Sequence, residues 1–421
     1  VNPTAKITVL ERRPYATYHP CDIPFAIGGE VPDIKKLIEP APSLPNVEVR
    51  TATEARAIDK GARRVEFKEL RTEKRGTIEY DALILATGSY PFVPPIPGVD
   101  LGGVFAIKTV EDGQAVIGEL GKAKKAAVVG AGPIGLETAV ALRNRGLEVT
   151  LVEMFPSILP NMLDPDMASQ VVERLTEKGV EVMCGQTVEK ISGDRRPTSI
   201  SVGGKELPAD LVILATGVKP EVRLAKEAGI ELGETGGIKV DERMLTNTQD
   251  IYAAGDCAEA FCMITKRPML SQLSTTAILM GRVAGTNAAG GEAKFEGTLN
   301  TTVTSAYGLE IASTGLTMEV ARRAGMDPIV GRIRTLDRSR FYPGGKPITV
   351  KLLVEPKKHR LIGGQILASD GAAERANLLA LAIKRGMTVK ELSRIEYCYA
   401  PPVCDVIEPL VMAAEAVLRK L

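Results

Sequence analysis

Three glycines within AAVVGAGPIGLETAVALRNRGLEVTLVE, residues 126–153, constrain this chain more than any other stretch. A short apolar strand runs into Gly130, Gly132 and Gly135, an alanine-rich helix follows, and a second strand, EVTLVE, ends at Glu153. That pattern predicts one βαβ unit. Gly130 permits the tight turn, Gly132 lets backbone approach a pyrophosphate, and Gly135 lets the helix pack closely on the strand. Pro133 lies in the same turn. A phosphate would sit at the helix start, where unpaired N–H groups and the dipole favour an anion. Glu153, 23 residues after Gly130, is placed to accept from a ribose 2′-hydroxyl and would repel a 2′-phosphate. NADH is therefore expected over NADPH.

A chain of 421 residues exceeds one ordinary core, so two to four domains are expected. With 53 basic and 52 acidic residues the net charge is +1, which gives no electrostatic reason for a nucleic-acid or membrane partner. No apolar run approaches the roughly 20 residues of a membrane helix, and no charged-then-apolar leader precedes the first strand. A cytoplasmic location is the resulting expectation. Six cysteines (Cys21, Cys184, Cys257, Cys262, Cys398, Cys404) lie scattered without tight pairs, against both a disulfide scaffold and a metal site.

The opening, VNPTAKITVLERR, reads as the end of a helix and then a strand closing on Glu11, just as EVTLVE closes on Glu153. The strand, glycine turn and helix that should precede it are not in the sequence, and roughly 30 preceding residues are expected to be missing. Such a half unit would leave a sheet edge unpaired and an apolar face uncovered. A loop, PYATYHPCDIPFAIGGEV, comes next, then a helix-like IKKLIE and two β runs, NVEVRTAT and RRVEFKEL. The strand YDALILATG ends at Thr87 and Gly88, and its phrase returns as ADLVILATGVKP, which carries Gly217. Two such strands on either side of the glycine unit suggest two related nucleotide domains, one inserted in the other. KGVEVMCGQTVEKI and SISVGGKELP read as a small meander completing the inserted one. The strand IYAAGD then presents Gly255 and Asp256, and a helix from about Thr275 to Ala289 points its first N–H groups at whatever Asp256 binds. From about Leu299, alternating strands and two helices predict an α+β domain.

With the glycine unit, the paired ATG strands, IYAAGDCAE and the segment around Cys21 in this order, the whole chain resembles the flavin-dependent pyridine nucleotide–disulfide oxidoreductases, in their single-cysteine branch. That branch includes coenzyme A disulfide reductases, NAD(P)H persulfide or polysulfide reductases, and NADH oxidases and peroxidases. The resemblance implies an α/β fold with two Rossmann-like domains, the NAD domain (109–230) inserted in the FAD domain (1–108 and 231–298), and a C-terminal α+β dimerisation domain (299–421). It implies FAD, NADH with NADPH as the alternative, and coenzyme A as substrate or ligand of a homodimer. Glu11 corresponds to the acid on the FAD adenosine ribose and Asp256 to the acid on the ribityl and phosphate region. Glu137 falls near the nicotinamide and flavin edge. FYPGG and YCYAPP match family motifs whose tyrosines, here Tyr342 and Tyr399, reach the other subunit's cysteine; as plain interface anchors they would have no chemical task. Glu137 could likewise serve only the helix dipole. Three departures stand out: the N-terminal FAD glycine motif is absent, Pro133 stands where members often have Tyr, and the segment that carries the oxidases' histidine is not in the sequence.

Cys21 sits between proline-marked turns in HPCDIP, and where two-cysteine relatives place a second Cys this chain has Ala26. A lone thiol beside a flavin alternates between thiolate and a mixed disulfide, a persulfide or a sulfenic acid. The expected activity is reduction of a coenzyme A disulfide, persulfide or polysulfide; the alternatives are an NADH oxidase acting on O₂ and, more remotely, a flavin-free scaffold. His19 is a candidate to lower the thiol pKa, against a solvated loop histidine. Cys257 with Cys262 has redox-pair spacing but falls in the flavin-binding turn. Cys398 and Cys404 flank Tyr399 and are candidates to resolve the partner's Cys21.

Overall fold

The computed structural model describes residues 2–41 and 43–421. Its centre is a five-stranded, all-parallel sheet in the order Val104–Ala106, Leu211–Leu214, Lys125–Val129, Glu148–Glu153 and Val180–Cys184. All four residues of the LVIL strand, Leu211–Leu214, are buried, as a parallel strand covered on both faces requires. The outer strand Val104–Ala106 pairs with it from ahead of the boundary expected at 109. VEVMC, residues 180–184, also joins this parallel sheet, so the antiparallel meander of Val188–Gly193, Pro197–Val202 and Lys205–Pro208 is shorter than the sequence suggested.

The part of the fold assigned to FAD carries two separate parallel pairs, Ile7–Leu10 with Val47–Arg50 and Leu83–Leu85 with Ile251–Ala253. Ile7, Val9 and Ile84 stand exposed on them. A three-stranded meander, Thr53–Asp59, Arg64–Glu69 and Arg75–Glu79, adds a third strand that the charged, non-alternating TEKRGTIE did not announce. Ahead of Ile7 the described residues make a turn, Ala5 N–H donating to Asn2 O at 3.3 Å, rather than the expected helix end; Val1 lies outside the described residues. IKKLIE is one 3₁₀ turn, Ile34–Leu37, capped by Asp33 and followed by the two-residue strand Ile38–Glu39.

The Cys21 segment is not a loop. Pro20–Asp22 forms a 3₁₀ turn that leads into the helix Ile23–Gly28. Pro24 stands in the first turn, where its missing N–H costs nothing, and Gly29 closes the helix at φ +89°. The apolar run IPFAIG hid this helix because Ile23, Ala26 and Ile27 are all buried, which erases any helical alternation of polar and apolar residues. An added Cβ on Gly28 would come 3.3 Å from Ala141 Cβ, so this helix lies close on the helix Pro133–Asn144. Arg145 Nε clamps the two by donating to Ile27 O at 2.8 Å.

From Thr302 the chain forms a five-stranded antiparallel sheet, ordered Thr302–Ala306, Leu309–Gly315, Leu361–Ala368, Pro347–Val354 and Ile329–Leu336. Four helices accompany it where two were expected: Met318–Arg323, Ala372–Lys384, Val389–Leu392 and Pro409–Leu418. One hydrophobic cluster unites the three parts, with Ile23 and Ile27 from the Cys21 helix, Leu136 and Leu151 from the glycine unit, and Ile311 and Leu367 from the C-terminal sheet. Each such fully buried side chain contributes about 1.5–3 kcal/mol, so thiol, nucleotide turn and C-terminal sheet are held as one body.

A buried polar lock reinforces that joint. Lys351 Nζ, in the C-terminal sheet, lies 2.8 Å from Asp164 Oδ2 and 2.6 Å from Asp166 Oδ1, at the start of the helix Pro165–Glu177. Gln365 Nε2 donates to Asp164 Oδ2 and the Met318 amide to Asp164 Oδ1, at 2.9 and 2.8 Å. Among the described residues no helix is long and apolar enough to cross a membrane.

Candidate active site

The glycine turn has the geometry its sequence required. Gly130 holds φ +101°, and a Cβ there would come 2.4 Å from Ala215 O; on Gly135 it would come 1.9 Å from Gly130 O. Around Gly132, by contrast, an added Cβ meets nothing within 4 Å, which leaves open a space for a ligand to approach the backbone. Pro133 opens the helix Pro133–Asn144 at its first position and is exposed. Glu153, 4% exposed, accepts from Ala131 N–H at 2.7 Å and Phe155 N–H at 2.9 Å, so its charge stands at the turn itself. Gly217 holds φ +92° and likewise has open space, with nothing within 4 Å of an added Cβ.

A second constellation forms where the strands Leu83–Leu85 and Ile251–Ala253 end. Gly88, at φ +72°, is open, and Thr87 is exposed with its hydroxyl on Glu221 O. Gly255, at φ +79°, passes Asp256 to the surface of the turn. Asp256 Oδ2 accepts from Ser89 Oγ at 2.6 Å and lies 3.4 Å from Lys108 Nζ, which itself donates to Ser89 Oγ at 2.8 Å. Ser89 and Lys108 were missed in the sequence, since nothing local marks two residues that converge only across the fold. Tyr18 hydroxyl joins this edge by donating to Lys108 O at 3.2 Å. Glu11, at the end of Ile7–Leu10, accepts from the Arg13 amide at 2.7 Å, and the buried Nε of Arg13 has no partner among the described residues.

Cys21 is exposed, and its Sγ lies 3.9 Å from Ser274 Oγ in the first turn of the helix Ser274–Ala288, beside exposed Thr275. Its neighbour His19 points elsewhere: Nε2 is paired with Glu39 Oε1 at 2.9 Å. Cys257 is fully buried, its thiol pushed up by burial and set on the carbonyls of Leu85 and Ala254. Cys184 is also pushed up, by burial first and then by the charge of Glu153. Both stay protonated at neutral pH and inert.

Glu137 occupies the junction of all three parts. It sits on the helix Pro133–Asn144, and its Oε1 accepts from Thr304 Oγ1 at 2.6 Å, a residue of the C-terminal sheet. Burial pushes its carboxyl up to about 7, with Thr304 opposing and the charge of Asp22 adding. Tyr342 and Tyr399 are 39% and 50% exposed, and neither hydroxyl has a partner among the described residues. Their segments are joined by Ser339 Oγ donating to Asp405 Oδ1 at 3.4 Å. Around Tyr399, Cys404 Sγ donates to Cys398 O at 3.2 Å, and both thiols are free.

The family described as pyridine nucleotide-disulphide oxidoreductase matches residues 2–281, and the dimerisation domain of the same family matches residues 302–410. The chain belongs to this family. As a pyridine nucleotide-disulphide oxidoreductase it is an FAD-dependent enzyme that uses NAD(P)H. It is 41% identical to an NADH oxidase of Methanocaldococcus jannaschii, over 100% of this chain and 94% of that one. With the CoA-dependent NAD(P)H sulfur oxidoreductase of Pyrococcus furiosus it shares 34%, over 98% and 93%. The structure of an NAD-dependent persulfide reductase from A. fulgidus superimposes with a TM-score of 0.95 at 37% identity, covering 99% of this chain and 79% of that one. The chemistry of these residues is compatible with both cofactors: Gly88, Gly132 and Gly217 leave bare backbone in open space, and the buried Arg13 Nε beside Glu11 has no partner among the described residues.

Proposed function

We propose that this oxidoreductase is a homodimeric, cytoplasmic NADH-dependent reductase of a coenzyme A disulfide, coenzyme A persulfide or polysulfide, with Cys21 as its single working thiol. The observation that carries this reading is an exposed thiol at a helix start, braced against the nucleotide helix, with Ala26 buried where a second cysteine would stand. In this reading residues 109–230 hold NAD and the parts 1–108 and 231–298 hold FAD. The domain 299–421 then completes the other subunit's site. NADH would be held by Gly130, Gly132, Pro133, Gly135, Glu153 and Gly217. FAD would be held by Glu11, Thr87, Gly88, Gly255, Asp256 and Thr275, joined by Ser89 and Lys108. Bound FAD supplies two-electron transfer between nicotinamide and sulfur.

Thiolate Cys21 attacks one sulfur of RS–SR′; the S–S bond breaks, and R′S⁻ leaves with a proton donated by Tyr342 or Tyr399 of the other subunit. The product is a Cys21–S–S–R disulfide. Two electrons originating from NADH break it, restoring the Cys21 thiolate and releasing RS⁻. With a persulfide the departing fragment is sulfide. The net change is NADH, one proton and RSSR′ to NAD⁺ and two thiols.

Anaerobic NADH consumption by the FAD-loaded protein is expected to be fast with one of these sulfur compounds and to exceed aerobic consumption without them. Turnover with oxygen alone would assign the protein to the oxidases, with Cys21 passing through a sulfenic acid. Substrate choice on the NADH side has its own test. Glu153→Gln removes the charge that would repel a 2′-phosphate, and it is expected to narrow the preference for NADH over NADPH, measured as the ratio of kcat/KM, by roughly tenfold or more. An unchanged ratio would move that role to another residue.

A further inference from the structure

Among the described residues, the one polar contact between the helix of the glycine unit and the first strand of the C-terminal sheet is the hydrogen bond from Thr304 to Glu137. Thr304 is 5% exposed, and Ala306, two residues on in the strand Thr302–Ala306, sits in the same hydrophobic cluster as Leu136. The hydroxyl is therefore fixed by strand and core, and it fixes the carboxyl in turn. We propose that Thr304 is the positioning residue of Glu137: its hydroxyl orients the carboxyl and favours the carboxylate, so that the C-terminal domain governs the proton Glu137 holds at the nicotinamide. This rests on the proposed NADH-dependent activity and on the place near the nicotinamide and flavin edge that the family resemblance implies for Glu137.

The surroundings of Glu137 give this hydrogen bond leverage. Burial, the largest influence, raises the carboxyl's affinity for a proton, and Asp22, directly after Cys21, raises it further; Thr304 is what opposes them. Arg143, farther along the same helix, and Arg145, just past its end, are engaged on Leu147 O with Lys178 O and on Ile27 O respectively. The strand TVTSA brings hydroxyls and no charge. Because burial and Asp22 push the carboxyl toward the protonated form, the hydrogen bond from Thr304 acts directly against them. Asp22 also makes the link run both ways, because it joins the charge of the Cys21 turn to the same proton.

The test is a pH titration of the Glu137 carboxyl in the full FAD-loaded protein, followed by the infrared band of the protonated group, which Glu137→Gln identifies by abolishing it. Removing a hydrogen bond to the charged form favours the neutral one, so Thr304→Val is expected to move the midpoint up by about one pH unit. Thr304→Ser should return it to the unsubstituted value, and Thr304→Ala, smaller than Thr, should shift it as Val does without overfilling the site. Asp22→Asn should move it down. A midpoint indifferent to both Val and Ala, or one that Ser fails to restore, would overturn the proposal. No sulfur compound or oxygen enters this titration, so a wrong substrate assignment would leave the shifts intact, and absent shifts would leave sulfur turnover unaddressed.

Discussion

Cys21→Ser is expected to lower NADH-driven reduction of the sulfur substrate by at least about 10³-fold, with reduction of a one-electron dye by the same protein kept near its unsubstituted rate. The serine hydroxyl is close in size to the thiol, so the 3₁₀ turn Pro20–Asp22 and the contact to Ser274 have no reason to move. What is lost is the nucleophile: sulfur ionises near neutral pH, and a hydroxyl does not. Neither Cys257, sealed in the core, nor Cys184, pushed up by burial and then by Glu153, is placed to replace it. Steady-state assays with both acceptors separate the two activities. If sulfur turnover survived in the variant, the lone-thiol mechanism would be wrong.

Lys351→Met should be the most destabilising single exchange away from the nucleotide turns, at about 3–5 kcal/mol. The methylene stem is preserved, but Asp164, only 3% exposed, loses the cation 2.8 Å away while remaining on Gln365 and Met318. A buried carboxylate left without its partner is far costlier than the pair was worth. Chemical denaturation, followed separately by flavin release and by loss of secondary structure, would register the loss. Adding Asp164→Asn to the variant should recover part of it, because the amide no longer carries the stranded charge. A cost below about 1 kcal/mol would mean that hydrophobic packing alone joins the C-terminal sheet to the nucleotide domain.

What the sequence disclosed follows from how local each requirement is. The turn at Gly130 and Gly135 could be read because neighbouring backbone forbids any side chain there, whereas Gly132 stands in open space where a side chain would meet nothing within 4 Å. Asp256 stood out as the acid at the end of an apolar strand. Ser89 and Lys108, which meet it from 167 and 148 residues away in the chain, carry no local signature. Thr304 is hidden for the same reason, its partner Glu137 being 167 residues distant. The Cys21 helix escaped notice because burial on all sides removes the periodicity that marks a surface helix, although Pro24 and the paired Gly28–Gly29 were legible as a start and a stop. The C-terminal sheet was evident in outline from its long apolar strands, whereas the short helices Met318–Arg323 and Val389–Leu392 offer too few residues for a period to show.

The most direct test of the central claim is the mass of the Cys21 peptide after the NADH-free, FAD-loaded protein has met coenzyme A disulfide. A coenzyme A mixed disulfide on Cys21, removed again when NADH is added, is the predicted result. A Cys21 that the disulfide leaves untouched, and that gains a single oxygen when NADH is turned over in air, would contradict it.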